Sequence, residues 1–142
     1  IHQLFKIKQK SPIMFKNFII TCFLGMLGII LGAFGAHALK EVLTSDELIS
    51  FNTAVRYQMY HVIVLLFVNM YTGFSTKQKN TISWLFFSGI FFFSGSIYAI
   101  QLTELTATSI WFITPIGGLF FILGWAFMLT GFLKKNEKEI KK

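Results

Sequence analysis

Two histidines, His37 and His61, are the residues best equipped for chemistry in this chain of 142 residues. An imidazole can ligate haem or metal, carry a proton or make a hydrogen bond. Both lie at similar depth, counted from the ends of the apolar runs beside them, so a haem b held between them is one reading. A regular helix, however, turns His37 nearly opposite to the glycines of its own run and places Glu41 four residues on. That spacing suits an interfacial His37–Glu41 contact and leaves His61 to a structural hydrogen bond. His2 lies in a basic leader and takes no part. The single Cys22 can form no internal disulfide, CxxC redox pair or cysteine-ligated cluster. No HExxH, GxSxG or Walker loop occurs. The expectation is a protein without catalytic residues, metal or cofactor, and not an enzyme.

The charged groups offer a second kind of chemistry. Arg56 can clamp a carboxylate in two-point geometry, which Lys reproduces poorly. Glu41, Glu104 or a partner's carboxylate is expected to meet it. Motif residues from several helix ends fall at one level: His37 and Glu41, then Arg56, Tyr57, Gln58 and His61, then Gln101 and Glu104, then Thr114 and Pro115. A site, if the protein has one, is placed in this polar cluster at the outer leaflet.

Composition says what must position these residues. The chain is 54% hydrophobic, 18% aromatic and only 13% charged, against roughly 25% charged in soluble domains. Mean hydropathy is +0.64. This excludes a disordered chain, a collagen-like chain and an ordinary cytosolic enzyme. Four charge-free runs follow one another, Phe18–Leu39, Tyr57–Phe74, Thr81–Thr103 and Leu105–Leu133. A helix needs about 20 residues to cross a bilayer. The fourth run is longer and contains Thr114-Pro115, with Thr suited to an N-cap and Pro to the first helical position. The expected spans are therefore about 18–39, 57–74, 81–102 and 115–133. Residues 103–113 become an outer loop with Trp111 and Phe112 at the interface. Ala36-His37-Ala38 resembles a signal-peptidase site, but its apolar run exceeds the usual 7–15 residues and reads as a span.

Net charge is +7, and the lysines flank the apolar runs, so the charge sets orientation rather than nucleic-acid binding. Lys6, Lys8, Lys10, Lys16, Lys77, Lys79, Lys134, Lys135, Lys138, Lys141 and Lys142 fall on one side, and only Lys40 and Arg56 on the other. The positive-inside rule puts both termini in the cytoplasm. Residues 1–13 read as a basic leader or upstream extension, 14–133 as the transmembrane domain and 134–142 as a basic cytoplasmic tail. Between the first two spans, Thr44 and Glu47 are spaced as a capping box, and Leu48, Phe51 and Val55 form one stripe. A short amphipathic helix over 44–55, lying on the outer surface, is expected.

The spans carry two patterns. Gly25, Gly28, Gly32 and Gly35 lie within one arc of the first, and Gly117, Gly124 and Gly131 recur every seven residues in the last. Small residues let helices approach closely where lipid removes the hydrophobic drive between them. Gln58, His61, Asn69 and Thr72 line one side of the second span, answered by Ser83, Ser94, Tyr98 and Gln101 on the third. These should face inward and hydrogen-bond between helices, or line a hydrated path. No Asp, Glu, Lys or Arg falls inside an expected span, which weakens a proton-coupled carrier.

Four motifs then occur in order: Gly32-Ala33-Phe34-Gly35-Ala36-His37-Ala38-Leu39; Phe51-Asn52-Thr53-Ala54-Val55-Arg56-Tyr57-Gln58 with His61; Phe93-Ser94-Gly95-Ser96-Ile97-Tyr98; and Ile113-Thr114-Pro115-Ile116-Gly117-Gly118 with Gly124-Trp125. Over about residues 14–133 the chain resembles the uncharacterised four-helix bacterial membrane family of the YgdD/YwdK type, domain-of-unknown-function family 423. The resemblance implies an all-α, multi-pass protein of the bacterial cytoplasmic (inner) membrane, and supplies no mechanism. The favoured expectation is an accessory or scaffold subunit whose partners are the lipid bilayer and a membrane protein or second copy of the chain, not nucleic acid. A small pore or carrier built on the polar stripes is the rival, and an outer-leaflet haem or quinone site the third reading.

Overall fold

The computed structural model describes residues 12–140. Residues 1–11, with Lys6, Lys8, Lys10 and most of the expected leader, lie outside them, as do Lys141 and Lys142. The described residues form helices and turns, with no strand among them. The first helix, α1 (Pro12–Ala36), gives way to a 3₁₀ turn (Ala38–Glu41). Then come α2 (Ser45–Met70) and α3 (Thr76–Gly89), which runs through a π-helical segment (Ile90–Ser94) into α4 (Gly95–Leu102). A loop leads to α5 (Ile113–Ile140).

Local chemistry explains where the helices start. Thr44 caps α2: its backbone N–H donates to Glu47 Oε2 at 2.8 Å and its Oγ1 accepts from the Glu47 N–H at 3.4 Å. Ser75 and Gln78 repeat the device at α3, with bonds of 2.9 and 3.2 Å. In the Thr44 box, hydrogen bonds from the Thr44 backbone and then its side chain hold the Glu47 carboxyl below its usual value of 4.5. A depressed acid contributes stability above its unfolded pKa, which is lost as pH falls through the folded one. Glu47→Gln should therefore melt below wild type at neutral pH. The two curves should converge as the pH drops past about 4.5. Melts that stay equally far apart down to strong acid would contradict the box.

Several expected boundaries change. The separate surface helix over 44–55 does not exist: α2 runs unbroken from Ser45 to Met70. No Gly or Pro interrupts those residues, and Phe51, Ala54 and Gln58 begin the same buried stripe that continues through His61, Val62, Leu65, Val68 and Asn69. The second helix thus begins well before Tyr57 and ends before Thr72, which is exposed in the following turn. The first ends at Ala36 rather than near Leu39. The third starts at Thr76, because the Ser75 capping box lies one turn ahead of the charge-free run. The last starts at Ile113, so Thr114 is not its N-cap, and Pro115 sits within the first turn, where it still costs no hydrogen bond. Its helix continues through the expected tail to Ile140.

The glycine seam of α1 lies against α2. A Cβ on Gly25 would meet Val62, on Gly28 Met59 and Gln58, on Gly32 Val55, and on Gly35 Phe51 and Asn52. Rising numbers on α1 pair with falling numbers on α2, so the two helices are antiparallel. On α5, Gly131 meets Phe74, Gly124 meets Phe86, and Gly117 meets the backbone of the π segment. Between these walls sits an aromatic-rich core that includes Leu65, Val68, Ile82, Phe86, Ile90, Phe121 and Met128. Asn17 on α1 meets Asn69, and Lys135 on α5 meets Tyr71, so α1 starts and α5 finishes at the same end of the bundle. We refer to this as the terminal end, and to the other, beside residues 37–44, as the loop end.

Gly28→Leu and Gly32→Leu should lower the melting temperature in detergent, because either side chain forces α1 off α2. Ala36→Leu, at an exposed position, should change it little. Equal melts for all three would remove the seam as a packing device.

Among the described residues, three helical stretches are long and apolar enough to cross a membrane: Phe15–Glu41, Thr76–Leu102 and Ile113–Glu137. The α2 helix does not join them by composition, although its 26 residues would extend ~39 Å at the usual rise.

Candidate functional site

The ten residues expected in one cluster divide into two groups. His37, Glu41, Arg56 and Glu104 are exposed and do not come together as pairs. His37 carries φ −121° and ψ −79° at the break between α1 and the 3₁₀ turn. Glu41 therefore does not follow it on one regular helix, and the expected contact is not made. Arg56 donates from Nη2 to Thr53 Oγ1 at 3.0 Å, and pairs with neither Glu41 nor Glu104. The intramolecular form of the expected ion pair is thus overturned. A partly exposed Tyr57 stacks on Phe93 with ring centroids 4.8 Å apart.

The second group is buried and bonded. Gln58, 1% exposed, donates from Nε2 to the Leu24 carbonyl of α1 at 2.7 Å. Its Oε1 accepts from Tyr98 Oη at 2.9 Å. One amide thereby ties α1, α2 and α4. Ser94 Oγ donates to the Ala54 carbonyl at 2.8 Å, and Ser96 Oγ lies 2.6 Å from Thr114 Oγ1. The hydroxyl of Thr114 thus joins α5 to α4 rather than capping its own helix.

Gln101 stays half-buried and makes none of these bonds. The π segment supplies the reason. It inserts one extra residue into the turn, so every later side chain falls back by about 100° around the helix axis. That shift takes Gln101 off the line of Ser83 and brings Tyr98 toward it.

His61 is bonded at both ring nitrogens. Nδ1 lies 2.7 Å from the Tyr57 carbonyl oxygen and Nε2 accepts from the Trp125 indole N–H at 3.3 Å. A carbonyl only accepts and an indole N–H only donates, which fixes the neutral tautomer with the proton on Nδ1. The ring also stacks on Phe121, with centroids 3.7 Å apart and planes 6° from parallel. Haem or metal ligation through His61 would break one of its two bonds, and His37 lies exposed in the turn after α1. The two histidines as arranged do not form a haem pocket. Among the described residues no group of three or more His, Cys, Asp or Glu side chains could hold a metal ion.

A polar centre lies at the terminal end, of which only Asn69 and Ser83 were expected to face inward, and not Asn17, Thr21 or Lys79. Asn69, fully buried, donates from Nδ2 to the Leu65 carbonyl and to Ser83 Oγ, both at 2.9 Å. Its Oδ1 accepts from Asn17 Nδ2 at 3.1 Å. Its backbone carbonyl, in the last turn of α2, accepts from Lys79 Nζ at 2.9 Å. A cation there opposes the negative end of the helix dipole. Thr21 packs alongside and returns its hydroxyl to the Asn17 carbonyl. Lys79 is 6% exposed, so it is not a free loop lysine. One helical turn separates Asn17 from Thr21 on α1, a polar pair that could have signalled an inward face.

Residues 31–118 match the family model described as "Protein of unknown function (DUF423)". A UPF0382 membrane protein of Staphylococcus saprophyticus is 42% identical over 77% of this chain and 89% of its own length. The UPF0382 membrane protein SAB0533 of Staphylococcus aureus is 40% identical over 77% and 88%. The UPF0382 inner membrane protein YgdD of Escherichia coli K12 is 33% identical over 82% and 88%. No solved structure matches.

Proposed function

Because the chain belongs to the DUF423 family and sits in the bacterial inner membrane, we propose that it is a four-span accessory or scaffold subunit of a larger membrane assembly, without enzymatic activity. The observation that carries this reading is the internal pairing of the buried polar stripes. Gln58, His61, Asn69, Ser83, Ser94, Ser96 and Tyr98 bond to one another, to Thr114 or to backbone and aromatic groups of the bundle. A pore or carrier would need such groups turned toward water or a solute. What the chain offers outward is apolar surface along most of its height, including Ile19, Phe23, Ile29, Phe91, Ile122 and Leu129.

The four-span topology draws support from α2 itself. Its hydropathy is lowered toward the loop end by exposed Asp46, Glu47, Asn52 and Arg56, and in the remainder by Gln58, His61 and Asn69, which face the bundle and not the lipid. Such residues cost a spanning helix little once their partners are inside. The lysine asymmetry then favours cytoplasmic termini. A reporter that fluoresces only in the cytoplasm, fused after Lys142, should be bright, and a dark fusion with an active periplasmic reporter at that site would overturn the topology.

For the subunit role, purification from native membranes in mild detergent should return a membrane protein in fixed stoichiometry with the chain. Reconstituted vesicles should pass no more ions than lipid alone. A chain that purifies as a lone monomer, or a flux abolished by Gln58→Leu, would overturn the scaffold reading.

A further inference from the structure

An open groove of about 490 Å³ lies on one face of α2 near the loop end, lined by Ile49, Asn52, Val55 and Arg56. We propose that this groove binds the phosphate headgroup of an anionic glycerophospholipid, with the Arg56 guanidinium on the phosphate.

Depth is the first argument. Val55 and Asn52 face Gly32 and Gly35 of α1, which lie in the last turns before that helix ends at Ala36. If α1 crosses the bilayer, this is the level where hydrocarbon gives way to headgroups. The Arg56 side chain reaches back to Thr53, one turn nearer the loop end. An arginine rooted just inside the boundary extends its charge toward the polar layer in this way.

Charge and shape give the second. A guanidinium has five N–H donors, and its bond to Thr53 Oγ1 uses one. Arg56 is exposed and neither Glu41 nor Glu104 neutralises it. Phosphate oxygens match its fork better than any other group found at that depth in a bilayer. Beside it Asn52 offers an exposed amide for a glycerol or ester oxygen, while Val55 and the exposed Ile49 supply apolar walls for the glycerol backbone and first acyl carbons. A carboxylate from another protein could also answer Arg56, but it would have to be carried into the groove on a protein segment, whereas lipid phosphates already surround the bundle at this level.

The inference rests on the reading that α2 crosses the membrane. The reporter fusion tests that reading separately, because lipid retention is measured on purified protein. Delipidated full-length protein would be titrated with phosphatidylglycerol, phosphatidylcholine and diacylglycerol and examined by native mass spectrometry. Phosphatidylglycerol should be held most tightly and diacylglycerol not at all. Arg56→Gln should weaken phosphatidylglycerol about tenfold or more, and Arg56→Lys should recover only part of the loss. Both variants should melt like wild type in lipid-free detergent, since Arg56 is exposed. Equal retention of phosphatidylglycerol by wild type and Arg56→Gln, or of phosphatidylglycerol and diacylglycerol by wild type, would overturn the proposal. Displacement of bound phosphatidylglycerol by inorganic phosphate at millimolar concentration would assign the groove to the free anion and overturn the lipid assignment. Loss of a co-purifying protein on Arg56→Gln, with phosphatidylglycerol retention unchanged, would assign Arg56 to a protein carboxylate and equally overturn it.

Discussion

Gly117→Ala should abolish stable folding of the bundle, while Gly118→Ala, one residue on, should leave it unchanged. A Cβ at Gly117 would overlap the backbone nitrogen of Phe93 and come within 2.6 Å of its Cα and 2.7 Å of the Phe92 carbonyl carbon. A Cβ at Gly118 meets nothing within 4 Å. The obstruction is main chain, so no rotamer change relieves it. That main chain is also anchored, because Ser94 is bonded to the Ala54 carbonyl and the Phe93 ring is stacked on Tyr57. Overpacking a well-filled site costs typically 1–3 kcal/mol where side chains can yield. Here α5 itself must withdraw, and a loss of about 3 kcal/mol or more is expected. Gly124→Ala should cost less, since the Phe86 ring, at 2.6 Å, can pivot. Detergent melts of the three variants check this order. A Gly117→Ala protein that melts with Gly118→Ala would mean that the close approach of α5 to the π segment contributes nothing.

Gly117 also shows how far the sequence could be read. Glycines every seven residues announced a close-packed face on α5, and the face is there. Nothing in their spacing distinguished a glycine that meets a ring from one that meets main chain. That difference depends on the π segment, which places the Phe92–Phe93 backbone beside α5. The residues that form it, Ile90-Phe91-Phe92-Phe93-Ser94, are ordinary apolar helix sequence apart from the final serine. A uniform 3.6-residue period puts Gln101 on the inward line with Tyr98 beside it, whereas the structure keeps only Tyr98 in the buried bonding.

The helix ends were misread for a related reason. Charge-free runs locate the part of a helix that lies in hydrocarbon, not the part that is helical. Lys79 and Arg56 both lie beyond the expected spans yet well within α3 and α2. Counting them as loop charges left the loop-end cluster looking like the main concentration of polar groups. In fact its charged members remain apart, and a densely bonded centre lies at the terminal end. The α2 stripe was legible because Gln58, His61 and Asn69 are conspicuous in an otherwise apolar run, and all three are buried. Their partners were only half legible. Ser83, Ser94 and Tyr98 were expected, whereas Asn17 and Lys79 lie near helix ends and Thr21, Ser96 and Trp125 lie inside apolar runs, where a lone hydroxyl or an indole ordinarily carries no such meaning.

Asn69→Leu tests that centre most severely. Leucine keeps nearly the same volume, so cavity formation contributes little and the loss is one of hydrogen bonding. Three side-chain bonds disappear, to Asn17, the Leu65 carbonyl and Ser83. Each is worth about 0.6 kcal/mol on average within a membrane bundle. Asn17, 1% exposed, is also left with an unmet amide, which adds roughly 1–3 kcal/mol. A destabilisation of about 3–5 kcal/mol is therefore expected. The partner's share can be separated. Asn17→Leu with Asn69→Leu removes both halves of the pair, so the double variant should recover part of the loss and melt above Asn69→Leu alone. Strict additivity of the two substitutions, measured as a double-mutant cycle in detergent, would show that Asn17 and Asn69 do not interact. The α1–α2 contact would then rest on the glycine seam and the Gln58–Leu24 bond.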